Sequence, residues 1–110
     1  MRHPGLSQPY APAVPLDDLA DALAECSERY AQAIAWQKAV EARAARMGEH
    51  PPGSPLAVEL EGQRHDAAVE VLASRLALQQ SLIDAGWTPD PSVQAQIEAD
   101  RATLQQQTAH

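Results

Sequence analysis

The sequence predicts an all-α chain: a long antiparallel, coiled-coil-like helical hairpin plus a shorter third helix, together a three-helix bundle. Three observations carry this. Apolar residues recur at alternating spacings of three and four over four heptads between Leu16 and Met47, the period of a helix lying along another helix. Proline and glycine fall at the edges of three long stretches, with only Gly62 inside one. No stretch alternates as a half-buried strand would. A length of 110 residues allows one domain.

Residues 1–14 hold Pro4, Gly5, Pro9 and Pro12 without periodicity, which predicts a disordered, proline-rich leader. One helical domain is expected over 15–107, with 108–110 as a tail. Its first helix spans about 15–47. Pro15 lies in the first turn, Asp17, Asp18 and Asp21 crowd the start, Arg43 and Arg46 sit near the end, and Gly48 terminates it. Acids at the N-terminus and bases at the C-terminus complement the helix dipole. The second helix spans about 54–85, from the capping hydroxyl of Ser54 and Pro55 to Ala85-Gly86. Asp90-Pro91 opens the third helix, which runs to about 107. The connections are short, so neighbouring helices are expected to run antiparallel.

The first helix carries the stripe Leu16, Leu19, Leu23, Cys26, Tyr30, Ala33, Gln37, Val40, Ala44 and Met47. On the second helix, Val58, Gly62, His65, Val69, Leu72, Leu76, Gln79 and Ile83 form a matching stripe. Reversal near residue 51 then sets Ala44 against Val58, Val40 against Gly62, Ala33 against Val69, Cys26 against Leu76, and Leu19 against Ile83. Gln37 falls opposite His65, a polar layer expected to fix the register. A second stripe, Leu56, Leu60, Ala67, Val71, Arg75, Leu78 and Leu82, is expected to meet the third helix. That pairs Leu82 with Val93, Leu78 with Ile97, and Arg75 with Asp100 as an ion pair.

The third helix is about half as long as the second. This leaves Leu56 and Leu60, flanked by Trp36, as an uncovered apolar strip. Surplus apolar surface on a small chain marks association, so the expected partner is protein, a second copy pairing about a two-fold axis. Trp87, beside Gly86, is expected to cap the corner between the second and third helices.

Between Leu16 and Glu28 stand five acids and no base: Asp17, Asp18, Asp21, Glu25 and Glu28. This acidic pole supports an alternative function, an inhibitor or DNA-mimic-like decoy on a basic partner surface. Overall, 15 acids against 8 bases give a formal charge of −7. That balance opposes attraction to nucleic acid or anionic lipid, so neither nucleic acid nor a membrane is an expected partner. Seven arginines against one lysine, with 22 alanines, make a GC-rich bacterial or phage genome the expected source. No apolar stretch has the length of a secretory signal or a membrane span, and a cytoplasmic location is expected.

Phosphate loops, nucleophile elbows and dinucleotide fingerprints are missing, so no cofactor and no enzymatic activity are expected. Cys26 lies on the inner stripe without a histidine in reach, as an inert core residue does. His3, His50 and His110 are scattered, and no metal site is expected from them. The expected function is a non-enzymatic interaction module: an adaptor, an assembly component or a small regulator.

Overall fold

The computed structural model describes residues 16–48 and 50–108; the leader and the last two residues of the tail lie outside them. Three helices follow one another: α1 (Leu16–Met47), α2 (Pro55–Asp84) and α3 (Pro91–Thr108), and among the described residues there is no strand. The all-α fold with a long hairpin and a shorter third helix is what the periodicity predicts. No described helix is long and apolar enough to cross a membrane.

Each helix end has a local cause. Gly48 takes φ of 74°, in the left-handed region where a side chain would be strained. Pro52 and Gly53 occupy the centre of a tight turn closed by Ser54 N donating to Pro51 O at 3.1 Å. Gly53, at φ of 85°, supplies the positive angle that a proline-first turn needs at its second central position. The Ser54 Oγ then accepts from Ala57 N at 3.2 Å and caps α2. At the other end of α2, Gly86 N donates to Ile83 O and Trp87 N to Leu82 O. This Schellman closure explains the glycine there. Asp90 O accepts from Gln94 N, the first bond of α3.

α2 is the middle helix. It packs along α1 and, over a shorter stretch, against α3, whereas α1 and α3 do not approach each other. The molecule is accordingly elongated, 70 × 26 × 25 Å. Its buried side chains are few: Ala33, Val40, Leu60, Ala67, Ser74, Leu76 and Ile97. Leu60, Ala67 and Ser74 follow one another at heptad spacing, and one heptad further Ser81 Oγ lies 3.3 Å from Cys26 Sγ on α1. That row is the seam with α1. Beyond Leu60 it is built from small residues, and Ser74 is tolerated at full burial because its Oγ donates back to Glu70 O at 2.7 Å. Leu76 points to the other side of α2, toward α3 and its buried Ile97.

The helix expected to face α1 with the Val58 stripe therefore faces it with the Leu60 stripe. Val58 is 60% exposed, Gly62 and His65 are exposed, and Cys26 meets Ser81 in place of Leu76. The register pair of Gln37 with His65 does not form, because His65 lies on the α3 side of α2. Arg75 does reach Asp100, Nη2 to Oδ2 at 2.8 Å.

Ion pairs brace the hairpin from both sides. Arg64 reaches Glu41 at 2.9 Å on one side, and Arg43 reaches Glu59 at 3.2 Å on the other. Arg29 grips Glu70 with Nε and Nη2 at 2.7 and 3.0 Å. The hydrogen bonds from that guanidinium hold the Glu70 carboxyl below its ordinary 4.5, against the opposing effect of burial. A carboxylate depressed in the folded state adds stability above its unfolded pKa and loses it as pH falls through the folded one. The two side chains remain 47% and 33% exposed, so screening limits the pair to about 0.5 kcal/mol. Glu70→Gln is expected to lower unfolding free energy by about that much at neutral pH. In urea titrations the deficit should disappear on acidification well below 4.5.

Candidate functional site: two faces and a tip cleft

α2 lies between α1 and α3, so the three helices form a layer whose two faces differ in chemistry. The helical phase of each residue, fixed by the cross-helix pairs, assigns the faces. Glu41–Arg64 and Arg75–Asp100 lie on one face. Arg29–Glu70, Arg43–Glu59 and Arg101–Gln80 lie on the other.

The first face carries two apolar rows, and the Arg75–Asp100 pair lies beside them between the levels of Val71 and Leu78. α1 contributes Leu23, Tyr30 and Ile34, and α2 contributes Val71, Leu78 and Leu82; both rows run at i, i+7, i+11. All six are half-buried. Each helix shelters its neighbour's flank, and no third layer among the described residues lies over them. The second face carries Glu25, Glu59, Asp66, Glu70 and Asp84, with Trp36, 41% exposed, between Arg29 and Arg43 in the same heptad row.

The expected strip of Trp36, Leu56 and Leu60 does not assemble. Leu60 is 7% exposed, covered by α1 in the hairpin seam. Leu56 is half-buried, and Trp36 stands on the polar face. The reasoning that α3 is too short to cover α2 holds in length. With the faces exchanged, however, the residues it leaves open are Val58, Gly62 and His65.

A cleft of about 590 Å³ opens at the hairpin tip, on the apolar side of the layer. Ala44, Ala45, Gly48 and Ala57 leave the space, Leu60 forms part of its wall, and Glu41, Glu61 and Arg64 line its edge. His50, from the turn, also lines it, and its buried Nε2 has no hydrogen-bond partner among the described residues. The cleft was not foreseen; the signal for it is the cluster of small residues on both sides of the first turn. A smaller cleft of about 200 Å³ lies between α2 and α3, lined by His65, Ala68, Val69, Leu72, Thr103 and Gln107.

Asp17, Asp18, Asp21, Glu25 and Glu28 are all exposed, and none joins an ion pair among the described residues. Glu28 accepts from Gln32 Nε2 at 3.1 Å. Arg75 is engaged by Asp100. Among the described residues no group of three or more His, Cys, Asp or Glu side chains is placed to hold a metal ion. Comparison with protein-family models, with curated proteins and with solved structures finds no match.

Proposed function

We propose that the protein is a non-enzymatic interaction module that pairs with a second copy of itself through the apolar face of the layer. The observation that carries this reading is the paired rows Leu23, Tyr30, Ile34 and Val71, Leu78, Leu82, half-buried on one face of the hairpin, with the paired Arg75 beside them. A face of this kind completes a helical layer only when another layer covers it. The rows run over about 16 Å of each helix, so a stable complex of about 800 Å² per partner would also enlist the polar residues around them. Two identical faces meeting about a two-fold axis bury the same residues from each copy. Such a pair serves an adaptor or an assembly component.

Light scattering at micromolar concentration tests it. The wild-type chain is expected at twice its 11.8 kDa mass, and Leu78→Glu is expected to weaken association at least thirty-fold, corresponding to roughly 2 kcal/mol, at unchanged helicity. A wild-type chain that stays monomeric removes the proposal.

A second reading rests on the acidic pole, whose five exposed carboxylates join no ion pair among the described residues. It makes the chain an inhibitor of a basic surface. Salt-sensitive binding to a basic protein, lost when Asp17, Asp18 and Asp21 become asparagine, would support it.

A further inference from the structure

We infer that the edge of α2 beyond the end of α3 is a docking strip for a partner protein's amphipathic helix, one whose apolar stripe is flanked by lysine or arginine. The strip is Val58, Gly62 and His65. It is separate from the face proposed for self-pairing and does not depend on that reading. Three observations converge on it.

The first is an unfinished seam. α3 runs antiparallel to α2 and Asp100 meets Arg75, so Thr108, at the end of α3, falls at the level of Ala67. From there to Pro55, about 18 Å of α2, the side turned toward α3 carries no helix among the described residues. Val58, Gly62 and His65 continue there, at heptad spacing, the row that leads through Val69 and Leu72 to the buried Leu76. All three are exposed, Val58 at 60%. Where α3 leaves off, the cleft of about 200 Å³ lined by Val69 and Leu72 has room for one apolar side chain of an incoming helix.

The second is Gly62. It stands in mid-helix, without the positive φ that the turn glycines take. A glycine in such a place costs stability relative to alanine. A Cβ added there would meet nothing within 4 Å, so no described neighbour accounts for the missing side chain. A helix laid across the strip does account for it, because the distance between two packed helices is set by the side chains at their contact.

The third is charge. On the α1 seam, Glu59, Arg64 and Glu70 flank the row, and each meets an opposite charge on α1. Glu61 and Asp66 flank the tip strip in the same manner, one on either side by helical phase. Both are exposed, and neither joins an ion pair among the described residues. By the rule that the other seam obeys, the incoming helix brings bases to both flanks. Two copies of the strip meeting each other would instead bring these acids together. Flanking charges of this kind choose the partner more than they add affinity.

Amide-shift mapping by NMR on the full chain tests the strip. The probe is a synthetic peptide of about three helical turns, with leucines along one face and lysines on both flanks. The control peptide has glutamates for the lysines. The lysine peptide is expected to shift the amides of residues 58–69 and 103–107, and the glutamate peptide none. Gly62→Leu is expected to raise the urea midpoint of unfolding while weakening the lysine peptide about ten-fold. A glycine required by the fold itself would lower that midpoint, which overturns the role given to Gly62. Glu61→Lys combined with Asp66→Lys is expected to reverse the preference toward the glutamate peptide. Replacing Asp17, Asp18 and Asp21 together by asparagine is expected to leave it unchanged. No shift with the lysine peptide, or shifts centred on the acidic pole or on Leu78, overturns the inference. A self-paired wild-type chain that Val58→Asp converts to monomer overturns it as well, since the strip then belongs to a second copy.

Discussion

Leu60→Ala is expected to lower unfolding free energy by about 2–4 kcal/mol, while Val58→Ala, two residues away on the same helix, stays within about 0.5 kcal/mol. The contrast follows from burial. Leu60 is 7% exposed in the seam with α1 and Val58 is 60% exposed beyond the reach of α3. Truncating Leu60 removes apolar contact and leaves a void next to the tip cleft that the surrounding alanines cannot fill. Truncating Val58 removes methyl groups already in water. Urea denaturation monitored by circular dichroism measures both, and equal losses at the two positions would contradict the orientation of α2 described above.

The second large effect falls on α3. Ile97, 1% exposed, is the one large apolar side chain of that helix that is fully buried. Ile97→Ala is expected to cost about 2–4 kcal/mol, and the loss should be local. Among the described residues α3 touches α2 alone, so weakening that seam frees α3 without disturbing the α1–α2 hairpin. Hydrogen exchange is expected to show loss of protection across residues 93–104, with the amides of α2 facing α1 still protected. A uniform loss along all three helices would show instead that the three-helix layer unfolds as one unit.

Much of the architecture is legible in the sequence because punctuation is local chemistry. Ser54-Pro55, Gly86 and Asp90-Pro91 each form the cap or closure that their residue types dictate. The Arg75–Asp100 pair is legible as well, since it needs only an antiparallel turn of known position. What hydropathy could not decide is which side of α2 turns toward α1. That helix carries apolar residues all round: Leu60, Val71, Leu78 and Leu82 on one side, and Val58, Val69, Leu72 and Leu76 on the other. Either stripe satisfies the period. Two other signals distinguish them. Ala67, Ser74 and Ser81 offer the small residues that let α2 approach Ala33 and Cys26 closely. Glu59, Arg64 and Glu70 flank that same stripe with charges opposite to those of Arg43, Glu41 and Arg29. Read for charge as well as for greasiness, the stripe with paired flanks is the one that faces α1. The tip strip of Leu56 and Leu60 failed for the same reason, since a residue placed on the wrong side of a helix appears uncovered when it is enclosed.

The row of small side chains between α1 and α2 has a mechanical consequence. Shallow ridges offer little resistance to sliding along the helix axis, and over the stretch of Ala67, Ser74 and Ser81 a slide of one heptad would again set small residues against α1. What it would not preserve are the clasps at the margins. Glu41 would come to face Ala57 or Val71 in place of Arg64, and Arg29 would face Gln63 or Ala77 in place of Glu70. The axial position of the hairpin is thus held from outside, by latches exposed to water, and rising ionic strength loosens the latches while leaving the rail on which they run intact.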